Sequence, residues 1–189
     1  MYGGFFCTDC LESVRQARCT ALMNGLPVKY RRLDEYHGIK KQADLLAGKS
    51  LYLYGPPGVG KTVLSIAILK RIWQSDGRGR FVVWPEFIMS LQADYASSFE
   101  DAKHLAQYEG CLALDDFAAE KPTDFVRQVS YYLINHREGN LLQTVITTNH
   151  SLDHIAAVYD DRTASRLAGM CRVIRMEGKD LRVGEKCGG

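Results

Sequence analysis

The stretch Leu51-Tyr52-Leu53-Tyr54-Gly55-Pro56-Pro57-Gly58-Val59-Gly60-Lys61-Thr62 decides the reading of this chain. An apolar run reads as a buried strand, a glycine-rich turn follows at once, and Lys61-Thr62 opens a helical pattern running to Gln74. That is the full context a phosphate-binding loop requires. Gly55, Gly58 and Gly60 let backbone N–H groups curl around the β- and γ-phosphates, and the helix adds the positive end of its dipole. Lys61 supplies a point charge to the phosphates and Thr62 a hydroxyl ligand for Mg²⁺. The expected ATP contacts are therefore Gly55, Pro56, Pro57, Gly58, Val59, Gly60, Lys61 and Thr62. The alternative is a fortuitous turn, which the flanking strand and helix disfavour.

Outward from this loop, short apolar runs alternate with longer helical patterns: 81–84 then 85–95, 111–114 then 124–136, 144–148 then 152–157, and finally 171–176. Strand and helix in alternation predict an α/β fold with a parallel sheet, here of five strands counting 51–54. Turn-forming clusters at 75–79, 137–140 and 177–180 punctuate the pattern, and no internal repeat or low-complexity segment interrupts it.

Two further strand ends carry chemistry. In Cys111-Leu112-Ala113-Leu114-Asp115-Asp116-Phe117 an apolar run meets two carboxylates at the carboxyl end of a strand, where open α/β sheets bind ligands. Asp115 is expected to hold Mg²⁺ and Asp116 to orient or deprotonate the water that attacks the γ-phosphorus; the alternative is a helix-capping aspartate pair. In Val145-Ile146-Thr147-Thr148-Asn149 another strand ends in polar residues able to reach the γ-phosphate or that water. Asn149 reads as the γ-phosphate sensor, with a capping role as its alternative.

Composition narrows the class. At 189 residues the chain fits one core. With 46% hydrophobic and 24% charged residues it is neither disordered nor membrane-like. A net charge of +2 excludes a field that by itself selects nucleic acid, so any such binding needs a local patch. The start Met1-Tyr2-Gly3-Gly4-Phe5-Phe6 lacks the basic and apolar regions of a signal peptide, and no run reaches membrane-spanning length, so a cytoplasmic location and no membrane partner are expected. Of six scattered cysteines, Cys111 and Cys171 sit in apolar runs, which predicts reduced, buried thiols rather than disulfides.

Together these residues resemble the DnaC/DnaI/IstB branch of the AAA+ ATPases, which includes replicative helicase loaders and transposition helpers. The match runs from about Leu26 onward: Leu26-Pro27-Val28-Lys29-Tyr30-Arg31, the phosphate loop, Leu114-Asp115-Asp116-Phe117-Ala118-Ala119-Glu120-Lys121-Pro122-Thr123-Asp124, Thr147-Thr148-Asn149, Asp161-Arg162-Thr163-Ala164-Ser165-Arg166-Leu167 and Gly178-Lys179-Asp180-Leu181-Arg182. The resemblance implies a P-loop NTPase three-layer sandwich around the five-stranded parallel sheet, without a C-terminal helical lid. It implies hydrolysis of Mg-ATP at interfaces between protomers, with an arginine of one subunit reaching the γ-phosphate held by the next. Arg166 is the candidate, Arg162 the second, and Arg182 a distal basic sensor; the alternative is that both arginines of the first pair solvate a helix near Asp160 and Asp161. The implied partners are a DnaB-like hexameric helicase and single-stranded DNA, acting in DNA replication. An IstB-like transposition helper and a non-hydrolysing ATP-dependent adaptor are the alternatives.

Residues 1–45 read as a short appendage and 46–189 as the ATPase core. Cys7, Cys10 and Cys19 offer three thiols toward a zinc site that needs four ligands, so it stays incomplete unless His37 or a partner chain completes it. In the competing reading residues 10–23 form an amphipathic helix, with Leu11, Val14, Ala17 and Ala21 on a face that docks on a partner. A nucleic-acid patch is sought in Lys29, Arg31, Arg32, Arg78 and Arg80, with Trp84 and Phe87 read either as stacking rings or as core.

Overall fold

The computed structural model describes residues 8–31, 37–94 and 96–181. The strands are β1 (Leu51–Tyr54), β2 (Gly79–Val83), β3 (Cys111–Asp115), β4 (Thr144–Thr148) and β5 (Arg172–Arg175). They form one all-parallel sheet in the order β2-β3-β4-β1-β5. Two helices precede β1, namely α1 (Thr8–Asn24) and α2 (His37–Leu46), and α3 (Lys61–Gln74) follows it. The later crossovers carry α4 (Trp84–Ala93), α5 (Ser98–Ala106), α6 (Asp124–Gly139), α7 (Leu152–Val158) and α8 (Asp161–Met170). No helix follows β5, and none is long and apolar enough to cross a membrane, among the described residues.

The near-continuous apolar strands have a direct cause: the sheet is covered on both faces. Successive side chains of a strand point to opposite faces. Leu51, Leu53, Cys111, Ala113 and Val145 therefore pack with Leu64, Ile68 and Leu69 of α3, whereas Tyr52, Leu112, Leu114 and Ile146 pack with residues of α4 to α8 such as Ile88, Leu105, Leu133 and Leu167. This is the three-layer sandwich expected from the sequence.

The lead-in segment joins the first of these cores. Cys19, Met23, Leu26 and Ala43 are buried in the same cluster as α3. On α1 the inward residues are thus Cys19 and Met23, while Ala17 and Ala21, assigned to a docking face in the sequence, are exposed. The zinc reading meets a geometric obstacle here. Cys10 and Cys19 lie on one helix, nine residues apart and so about 13 Å along its axis. A zinc ion with bonds of about 2.3 Å to sulfur cannot span that distance. Cys7, Arg182 and the His37 side chain fall outside the described residues.

Candidate functional site

The nucleotide- and magnesium-site candidates, residues 55–62, Asp115, Asp116 and Asn149, gather at the carboxyl edge of β1, β3 and β4, whereas the arginines and the α1 cysteines lie elsewhere. The glycine-rich loop leaves β1 and ends on Gly60, the N-cap of α3. Gly55 is required by space as well as by backbone, since a Cβ there (φ +148°) would lie 2.1 Å from the Met176 carbonyl oxygen, while Gly58 (φ +82°) is required by its left-handed backbone and has the Asp180 side chain lying over it. The segment 177–181 after β5 therefore lies on the loop, and its Leu181 N–H donates to the Gly58 carbonyl at 3.0 Å.

Lys61 is buried, and its ammonium donates to the carbonyls of Gly55 (2.8 Å) and Pro56 (2.7 Å) and to Asn149 Oδ1 (2.8 Å). The last bond joins two residues 88 positions apart and brings the sensor candidate onto the phosphate loop. Asn149 caps no helix, since α7 is capped by Ser151, whose hydroxyl accepts from the His154 N–H at 3.3 Å.

Asp115 and Thr62, the two Mg²⁺ ligand candidates, stand close enough for the Thr62 side chain to favour the charged form of Asp115. Burial raises the pKa of Asp115, a shift opposed by its hydrogen bond with Thr147 and by the Thr62 side chain. Thr147 is a contributor that the sequence only bracketed. Its hydroxyl donates to Asp115 Oδ1 at 2.6 Å and accepts from the Asp116 N–H at 3.1 Å, so one side chain sets both aspartates. Asp116 is exposed and adopts a left-handed backbone (φ +55°), followed by buried Phe117 and by Ala118 at φ +67°. The capping alternative for the aspartate pair does not hold, because the next helix, α6, is capped by Thr123. A carboxylate at the rim of the loop, beside a buried one set against the hydroxyl of Thr62, suits activation of a water next to a metal-bound phosphate. On this donor set, and on a loop whose Gly55, Gly58 and Gly60 all take positive φ, the residues fit a nucleotide and its metal.

Arg166 and Arg162 lie elsewhere, on α8. Arg166 pairs with Glu138 near the end of α6 and donates to the Tyr131 hydroxyl at 3.4 Å, while Arg162 pairs with Asp160 at 3.2 Å and stands 4.8 Å above the Tyr131 ring. Both arginines thus face the groove between α6 and α8 and bond to residues of α6 and the start of α8 rather than to this chain's own phosphate loop. The basic patch sought in the sequence is split. Arg31 donates to the Leu26 carbonyl at 2.9 Å beside α1, whereas Arg78 directly precedes β2 and pairs with Glu109; Arg32 falls outside the described residues. Trp84 is a core residue with its indole N–H donating to Glu120, and Phe87 packs partly buried against it, which resolves their reading in favour of core.

No protein-family model matches the chain. Over 149 residues it is 30% identical to the replicative helicase loader DnaI of Bacillus subtilis (strain 168), an alignment covering 71% of this chain and 48% of that protein. It is 26% identical over 143 residues to an insertion-sequence ATP-binding protein of Mycobacterium tuberculosis, covering 72% of this chain and 57% of the other. The chain thus spans about half the length of these curated relatives. The crystal structure of the DnaC helicase loader superposes with a TM-score of 0.64 at 29% identity, covering 77% of this chain and 96% of that one. Sequence motifs, sheet order and these likenesses agree, and the chain belongs to the DnaC/DnaI/IstB-like family of AAA+ ATPases.

Proposed function

We propose that this protein binds Mg-ATP on residues 55–62 and hydrolyses it at interfaces between protomers, as a helicase loader acting in DNA replication. The observation that carries the site is the Lys61 ammonium bonded at once to the loop carbonyls and to Asn149, because it brings the phosphate loop and the sensor strand to one point. The loop N–H groups and Lys61 bind the triphosphate, and Thr62 and Asp115 would hold Mg²⁺, which when bound neutralises phosphate charge. Asp116 takes a proton from water as its oxygen bonds to the γ-phosphorus and the bond to the β-phosphate oxygen breaks, releasing ADP. Asn149 orients that water or the γ-phosphate. Arg166 of a neighbouring protomer, with Arg162 second to it, stabilises the charge of the transition state. The turned-away position of both arginines in this chain supports a role across an interface.

The loader reading rests on the likeness to DnaI and DnaC and implies a hexameric helicase and single-stranded DNA as partners. The likeness to an insertion-sequence protein favours a second reading in which the same engine serves a transposase. Lys61→Ala is expected to abolish binding of a fluorescent ATP analogue, whereas Asp116→Asn keeps binding and loses turnover by about 10²-fold or more. Equal turnover in wild type and Asp116→Asn would sink the assignment. Co-purification with the host's replicative helicase or with a transposase, with and without ATP, separates the two partners.

A further inference from the structure

Glu120 lies four residues beyond Asp116 in the loop between β3 and α6. Its Oε1 accepts two hydrogen bonds from distant elements: the indole N–H of Trp84 at the start of α4 (2.9 Å) and the hydroxyl of Tyr159 at the junction of α7 and α8. Its other oxygen, Oε2, is buried with no hydrogen-bond partner among the described residues. The two donors are the ends of a row of aromatic rings, Trp84, Phe117 and Tyr159, with centroids 5.1 and 6.0 Å apart. The middle ring belongs to the residue next to Asp116, held between two left-handed backbone positions.

Tyr159 is placed to pass on whatever this loop does. Asp160 follows it directly and caps α8, accepting from the Arg162 N–H at 3.2 Å. The same elbow is tied to α6 by Arg127, which donates to the Val158 carbonyl at 3.1 Å. Glu120 is half-buried, and its buried, unpartnered Oε2 is a costly group for a tie that Oε1 alone makes.

We infer that Glu120 is a positioning residue that links the loop carrying Asp116 to α8 through Tyr159, and so sets the presentation of Arg166 and Arg162 to the neighbouring protomer. The inference rests on the shared-site reading above. The loop reports on its own nucleotide, and the arginines act on the neighbour's, so the Glu120–Tyr159 bond is a mechanical route from one site to the next.

The experiment uses the full chain in mixed assemblies. Arg166→Ala protomers keep a nucleotide site, Lys61→Ala protomers keep the arginine, and mixing them is expected to restore turnover. Adding Tyr159→Phe to the Lys61→Ala partner, the one that lends its arginine, is expected to lower that recovery about tenfold, the scale of a small misplacement at a reacting centre. Adding it to the Arg166→Ala partner is expected to leave recovery within about twofold of the control. A merely structural hydroxyl would act equally in both placements, so equal loss, or no loss, overturns the inference. Glu120→Ala in the lending protomer is expected to match Tyr159→Phe, and Glu120→Gln, which keeps an acceptor oxygen, to lie nearer the control; the reverse order overturns it. Failure of the starting pair to recover any turnover overturns the shared-site reading, and this inference with it.

Discussion

Arg137 is the residue whose role no motif announces. It is fully buried, and its guanidinium donates to Thr144 Oγ1 at 2.8 Å and to the carbonyls of Ala106, Tyr108, Gly110 and Gln143 at 2.7–3.3 Å. Burial lowers its pKa to about 10, still far above neutrality, so it is charged. These acceptors lie in the chain running into β3 and β4, so one side chain of α6 fixes the entry to both strands that carry Asp115 and Asn149. Removing it leaves several buried acceptors without a donor, each worth about 1–3 kcal/mol. Arg137→Met is expected to lower the unfolding free energy by about 3–5 kcal/mol, read as a drop in urea midpoint with an unchanged slope. In sequence, Arg137 sits in a turn-like run beside Glu138 and Gly139, where an arginine ordinarily reads as solvated. That Lys61, Asp115 and Asn149 end at one edge of the sheet was legible because each sits in a motif with fixed neighbours along the chain. The ties of Thr147, Glu120 and Arg137 were not, because most of their partners are distant in sequence and only the fold brings them close.

Among the elements, strands were easier to read than helices. Tyr52 and Leu53 of β1 are buried on opposite faces, so a short unbroken apolar run marks such a strand, and residues 51–54 and 144–148 come out with the bounds expected. The run expected at 171–176 shrinks to Arg172–Arg175, an edge strand whose residues are mostly exposed. Helix α5 escaped notice because its buried side is only Ser98, Ala102, Leu105 and Ala106, too small a stripe to stand out from a loop. The inward face of α1 was hidden in the sequence for another reason. Cys19 and Met23 are spaced to face α3, but the weakly amphipathic sequence around them offers Ala17 and Ala21 as an equally plausible face. Since Met23 is buried against the first core, Met23→Ala is expected to destabilise the whole domain by about 2–3 kcal/mol. A denaturation transition that keeps its midpoint would show that α1 is dispensable to the core.

At the scale of the molecule, the separation between phosphate loop and arginines predicts a dependence on assembly. Turnover per protomer is expected to rise with protein concentration and fall on dilution, while binding of an ATP analogue persists; turnover independent of concentration across the range where sedimentation shows dissociation would refute a shared site. The sheet order has a consequence of its own for how the protein is made. β1 is an interior strand, parallel to its neighbours β4 and β5, and Leu51 pairs with Val145 and Arg172. A ribosome adding about 5–20 residues per second therefore releases the phosphate loop several seconds before either flanking strand exists. During that interval the loop has no Asn149 beneath its lysine and no Met176 against its first glycine. Nucleotide affinity should then appear late and abruptly in synthesis, when β5 emerges, which makes a bound nucleotide a mark of the completed sheet.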